Sequence, residues 1–295
     1  MNRLQVTGLS KTYANGFQAL NDVSLDISNG IFGLLGPNGA GKSSFMRTLA
    51  TLQAPSNGEV LFNGVDIMTN PQYMRAQLGY LPQDFGVYPR MSAFDLLQHL
   101  AILKGLHQSK ARTAQINSLL HHTNLYEVRH KAVATFSGGM KQRFGVAQAL
   151  LGDPKLIIVD EPTAGLDPSE RNKFHFLLSE IGEQVIVILS THIVHDVKEL
   201  CPQMAILAGG KLVAQGAPRH LLANLQGRTF SKLIPKDQLQ QHQAMFPIVS
   251  SRLKSGMIEI HVIADYLPGD GFALVEADLE DLYFQTLRDH QTAEV

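Results

Sequence analysis

Residues 36–43, Gly36-Pro37-Asn38-Gly39-Ala40-Gly41-Lys42-Ser43, limit what this chain can fold into more than any other segment. They fit the pattern G-x-x-x-x-G-K-[ST]. A short apolar run, Ile31–Leu35, precedes them, and a helical stretch follows that must stop by Pro55. An apolar run of that length suits a strand buried on both faces of a parallel sheet. The glycines let the backbone curl so that successive N–H groups face one anion, and the start of the helix adds partial positive charge. Lys42 is placed to reach β- and γ-phosphates, and the Ser43 hydroxyl to ligate Mg²⁺. The expected fold is therefore α/β, with the loop joining a central strand to a helix.

A second motif is Leu156-Ile157-Ile158-Val159-Asp160-Glu161. Four aliphatic residues carry a strand to its C-terminal end, where open α/β sheets bind ligands. Asp160 is placed to support Mg²⁺ through its water shell, and Glu161 to orient or deprotonate an attacking water. A solvated strand end would explain the acidic pair by itself. Beside the glycine loop, the pair points to a nucleotide hydrolase working on ATP or GTP. A third segment, Phe136-Ser137-Gly138-Gly139-Met140-Lys141-Gln142-Arg143, opens another helix with Ser137 as N-cap and two bare glycines. It reads either as an ordinary capped helix or as a second phosphate-binding surface. One nucleotide needs one cradle, so a second cradle suggests two chains sharing a nucleotide.

With these segments in this order, residues 3–220 resemble an ABC ATPase. The resemblance implies a P-loop core of mostly parallel sheet, an antiparallel β subdomain and a helical subdomain at about 84–136. Ser137, Gly138 and Gly139 match the family signature, with Phe136 where leucine is usual and Met140 where glutamine is usual. It further implies that residues 36–44, through Ser44, hold ATP, and that Tyr13 stacks on adenine. Gln83, in Leu81-Pro82-Gln83-Asp84, would sense Mg²⁺ and γ-phosphate. Ala164-Gly165-Leu166-Asp167 would cross a dimer interface, and His192 would contact the γ-phosphate. Glu161, His192, Lys42 and Gln83 are the implied catalytic set, and Ser43, Gln83 and Asp160 the implied Mg²⁺ set. Two cassettes, a homodimer or a pair with a second ATPase subunit, would close around ATP and drive a separate transmembrane permease.

Composition narrows the setting. A net charge of −1 over 295 residues argues against a general nucleic-acid role. No stretch approaches the ~20 apolar residues that cross a bilayer, and the N-terminus lacks the apolar core of a signal peptide. A single cysteine, Cys201, excludes an intrachain disulfide and suits a reducing compartment. The expectation is a cytoplasmic protein, peripheral on the membrane through its partner. His192, His195 and Asp196 lack the further ligand spacing of a metal site. Phe85 and Tyr88 read either as a docking surface for the permease or as packing inside the helical subdomain.

Along the chain, Leu4 and Val6, then Val23, Leu25 and Ile27, alternate as strands, and Asn63-Gly64 marks a hairpin. Phe94, Leu97, Leu100 and Leu103 predict one helical stripe, and Met140, Phe144, Ala147 and Leu151 another. Residues 221–295 read as a small α+β accessory domain. Within it, Ala277–Phe284, with Leu279-Glu280-Asp281, resembles the end of ATPases from bacterial type-2 exporters. That favours export over import. A soluble ABC ATPase and an importer subunit are the rival readings.

Overall fold

The computed structural model describes residues 1–83, 86, 88–163, 166–269 and 271–293. Its centre is a six-stranded sheet in the order Lys211–Gly216, Gln203–Ala208, Gly30–Leu35, Ile186–Thr191, Leu156–Asp160, Leu78–Leu81. The last five run parallel, and Lys211–Gly216 pairs antiparallel as an edge. Every residue of Leu156–Asp160 and Ile186–Thr191 is buried. That explains why these strands read as unbroken apolar runs, since helices or a second sheet cover both faces. The loop after Gly30–Leu35 and the ends of its two inner neighbours therefore open at one edge of the sheet, where ligands gather.

A four-stranded antiparallel sheet, Gln18–Ser28, Arg3–Thr12, Asn57–Phe62, Val65–Asp66, lies on one side. Its alternation was legible because only one face is buried, as Leu4, Val6, Val23, Leu25 and Ile27 show. At the hairpin tip Asn63 and Gly64 have φ of 50° and 80°, the paired positive values of a two-residue type I′ turn.

Helices Ala93–Leu103 and Ser109–His122 form the helical layer and share an apolar cluster with the signature helix Gly138–Ala149. Phe144, Ala147 and Leu151 are buried there, with Met140 packed against them, as predicted. The other stripe differs. The buried face carries Ala93, Leu96, Leu97 and Ala101, while Leu103 is 70% exposed. Steps of three residues fall short of a helical turn by about 60° each, so Leu103 ends about 180° from Phe94. The true stripe falls at i, i+3, i+4 and i+8.

Beyond the sheet edge, a third sheet runs Ile248–Lys254, Met257–Ile263, Thr229–Ile234, Ala273–Leu274. Helix Leu239–Met245 lies beside it, and Phe230, Ile234, Ile260, Val262 and Phe272 form its own small core. The last helix, Leu279–Ala293, serves two masters. Leu279, Leu282 and Tyr283 belong to the apolar cluster of the central sheet, with Val197, Met204 and Ile206. Asp281, fully buried, accepts hydrogen bonds from Ser250 Oγ at 2.7 Å and His261 Nδ1 at 2.9 Å in the third sheet. Asp278 caps this helix by accepting from the Asp281 amide at 3.0 Å.

Candidate functional site

Helix Lys42–Leu49 begins at Gly41, whose φ is 107°. A Cβ at that position would lie 2.3 Å from the Ala19 carbonyl oxygen, so only glycine lets the loop turn there. Lys42 is buried, and its Nζ donates to the carbonyl oxygens of Gly36 at 2.6 Å and Pro37 at 3.2 Å. Burial lowers its pKa, against the pull of the Glu161 and Asp160 carboxylates. The loop thus folds its lysine along its own backbone, facing the end of the Asp160 strand. A cavity of about 430 Å³ lies between residues 38–44, Gln83, Asp160 and Glu161.

Asp160 is buried, and burial raises its pKa, with the neighbouring Glu161 carboxylate adding to the effect and Lys42 opposing it. Glu161 follows in the left-handed region, with φ of 47°. A non-glycine residue there, directly before a proline, is strained by an amount on the order of 1–3 kcal/mol. Its own N–H donates to the Ser190 carbonyl at 2.8 Å and helps hold that turn. The side chain then meets two partners from other elements. His192 Nδ1 lies 3.0 Å from Glu161 Oε1, and Gln83 Nε2 donates to Glu161 Oε2 at 3.4 Å. A carboxylate only accepts, so Nδ1 carries the proton of this contact. Three residues separated by 78 and 31 positions thereby converge at the mouth of the glycine loop.

The remaining expected residues are placed as follows. Ser43 is exposed at the helix start, and Ser44 Oγ is 3.0 Å from the Tyr13 hydroxyl, which also donates to Gln53 Oε1 at 3.2 Å. Lys11 Nζ sits 5.5 Å from the centre of the Tyr13 ring. Phe17, not singled out by sequence, lines the cavity and is 56% exposed. An exposed aromatic just after the Asn15-Gly16 turn was the available signal. Ser137 caps its helix by accepting from the Met140 amide at 3.2 Å, and none of Ser137, Gly138 and Gly139 lines the cavity of this chain. Asp167 caps helix Pro168–Gly182, accepting from the Glu170 amide at 2.9 Å. Ala164 and Gly165 lie outside the described residues, as do Asp84 and Phe85. Tyr88 is 58% exposed and borders a cleft of about 560 Å³ with Pro89, Arg90, Met91 and Asp95. His195 is exposed, whereas Asp196 is fully buried against Thr163 and His175.

The donor set suits a hard divalent cation. Ser43, Gln83 and Asp160 offer oxygen donors at one cavity, and two adjacent carboxylates converge there with Lys42 as the nearby cation.

Residues 20–164 match the profile of the ABC transporter family. The uncharacterized ABC transporter ATP-binding protein YxlF of Bacillus subtilis is 35% identical over 249 residues, 84% of this chain and 82% of that protein. The chain belongs to the ABC transporter ATP-binding proteins. Members of this family hydrolyse ATP, and this one is an ATPase and the ATP-binding subunit of an ABC transporter. Two further ABC relatives differ in direction by name. The Nod factor export ATP-binding protein I of Rhizobium etli is 34% identical, covering 77% of this chain and 72% of the relative. The methionine import ATP-binding protein MetN of Vibrio cholerae is 35% identical, covering 75% and 67%. The structure described as the dimeric MJ0796, a bacterial ABC transporter cassette, superposes with a TM-score of 0.65 at 25% identity, over 72% of this chain and 98% of that one. Among the described residues no helix is long and apolar enough to cross a membrane.

Proposed function

We propose that this ABC ATPase powers export, pairing head to tail with a second copy or a second ATPase subunit on the cytoplasmic face of a membrane permease. The observation that carries the catalytic part is the meeting of Gln83, Glu161 and His192 at the mouth of the glycine loop. In this reading the amides of residues 42–44 and the Lys42 ammonium bind the phosphates. Ser43, Gln83 and Asp160 would hold Mg²⁺, which when bound neutralises charge on the β- and γ-phosphates. Glu161 takes the proton of the attacking water, and His192 keeps its carboxylate aimed while offering the rest of its ring to the γ-phosphate. Tyr13 and Phe17 provide the aromatic surface for the base.

Ser137, Gly138 and Gly139 lie away from their own cavity, which supports their use by the partner's nucleotide. Closure then depends on the γ-phosphate, and a near-complete switch needs a difference of roughly 5 kcal/mol between open and closed states. The exposed Tyr88 and its cleft support docking of the permease there. Residues 1–220 form the cassette in this reading, and residues 221–295 an accessory domain. Export draws on the Leu279-Glu280-Asp281 segment and on the Nod factor relative, while the MetN relative keeps import as the second reading.

Size-exclusion chromatography of the Glu161→Gln protein, with and without ATP and Mg²⁺, tests the scheme. The expected outcome is a shift from monomer to dimer only with ATP. ATP binding without dimerisation would reject use of Ser137 by the isolated partner chain. Failure to bind ATP would reject the site assignment itself. A six-span permease encoded beside this chain would favour export over import.

A further inference from the structure

Glu161 stands in a left-handed turn before Pro162, a conformation its own residue type disfavours. The bond from its amide to Ser190 fixes the turn on the strand side. On the far side, two residues on, Thr163 Oγ1 donates to the Asp196 carboxylate. Thr163 is 1% exposed and Asp196 fully buried. Asp196 lies four residues after His192, on the helix Val194–Leu200. His175 Nε2 approaches the other Asp196 oxygen at 3.2 Å and Arg171 Nε at 4.0 Å, both from helix Pro168–Gly182. Burial acts to raise the Asp196 pKa, but the His175, Thr163 and Arg171 contacts outweigh it, and the carboxyl sits below its ordinary value. The segment that carries Glu161 and the segment that carries His192 are thus joined twice, once at the surface and once underneath.

We infer that the Thr163–Asp196 hydrogen bond is a positioning clamp for hydrolysis, setting the distance between Glu161 and His192. Neither residue touches the nucleotide cavity, and the clamp acts only through the pair above it. The inference rests on Glu161 and His192 being the hydrolytic pair. The clamp also explains why a fully buried carboxylate follows a strand whose business is an exposed histidine. Without the hydroxyl, the side-chain tie beyond Pro162 is lost, Glu161 relaxes out of its strained turn, and its carboxylate drifts from His192.

The test is steady-state ATPase kinetics on Thr163→Val, Thr163→Ser and Asp196→Asn, each also made with His192→Ala. Valine keeps the volume and loses the donor. Thr163→Val is expected to lower kcat by about tenfold to a hundredfold with KM for ATP nearly unchanged, since a small misplacement acts on the chemical step. Thr163→Ser restores most of the rate. Asp196→Asn, which still accepts from Thr163, falls between them. With His192 already alanine, Thr163→Val is expected to cost little more, because the geometry it protects is gone. An equal loss in both backgrounds, or a rise in KM matching the fall in kcat, overturns the clamp and leaves a structural contact only. Nucleotide binding of each variant, followed by quenching of a fluorescent ATP analogue, guards against misfolding. If Glu161→Gln and His192→Ala retain full activity, the site assignment fails first, and that result is distinct from a neutral Thr163→Val.

Discussion

Lys104 reaches from the end of helix Ala93–Leu103 to two carbonyl oxygens, Leu78 at 3.0 Å and Leu151 at 2.8 Å. It ties the helical layer to the edge strand of the central sheet and to the end of the signature helix. Burial pushes its amine down to about 8, against ~10.4 in an unfolded chain. Between those values the unfolded chain holds a proton that the native one has released, so stability contributed by this group rises with pH. Below pH 8 both states are protonated and the burial cost is present in full. Urea unfolding of wild type and Lys104→Met at pH 8 and pH 10 is expected to show wild type gaining relative to the variant. Parallel behaviour of the two would refute the burial. The glycine loop was legible because its residues follow one another in sequence, as Gly36 to Ser43 do. Lys104 was not, because its two acceptors are 26 and 47 positions away. Thr163 and Asp196, 33 apart, escaped for the same reason.

Among the elements, the strands next to the site were legible where burial was total, as at Leu156–Asp160, or where it alternated, as at Leu4 and Val6 before the register shift in Arg3–Thr12. Leu78–Leu81 gave no such signal. It is four residues long and contains Gly79, where a Cβ would lie 2.3 Å from the Ala149 carbonyl oxygen. Close approach of the signature helix, and not side-chain pattern, selects that residue. The start of the last helix was legible, but neither its run to Ala293 nor its attachments were. Asp281 looks like one more acid in an acidic helical start, yet it is the buried acceptor for Ser250, His261 and the Asp278 amide. Asp281→Ala is expected to destabilise the protein by about 3–5 kcal/mol, because the buried partners lose their acceptor. Asp281→Asn, which keeps an acceptor oxygen, should lose less. Denaturant midpoints of the two variants give the comparison, and a loss under 1 kcal/mol for alanine, the usual scale of a surface change, would contradict the burial.

For the molecule as a whole, Cys201 offers a direct readout of that attachment. The thiol is 5% exposed, burial holds its pKa well above the ordinary value, and it shares an apolar cluster with Leu279, Leu282 and Tyr283. The native protein is expected to resist maleimide labelling, and a chain ending before Leu279 to label readily with a lower Tm. Equal labelling of both would show that the helix is not part of that seal. The same cluster has a consequence for how the protein is made. It draws side chains from Ile31 to Leu287, so its first and last members are synthesised 256 residues apart. At about 5–20 residues per second, the interval between them is roughly 13–50 s. Throughout it the nascent ATPase carries apolar surface that its own final helix has yet to cover. Helix Leu279–Ala293 thus covers this cluster long after Ile31 is made, and a ribosome that stalls before it leaves that surface bare.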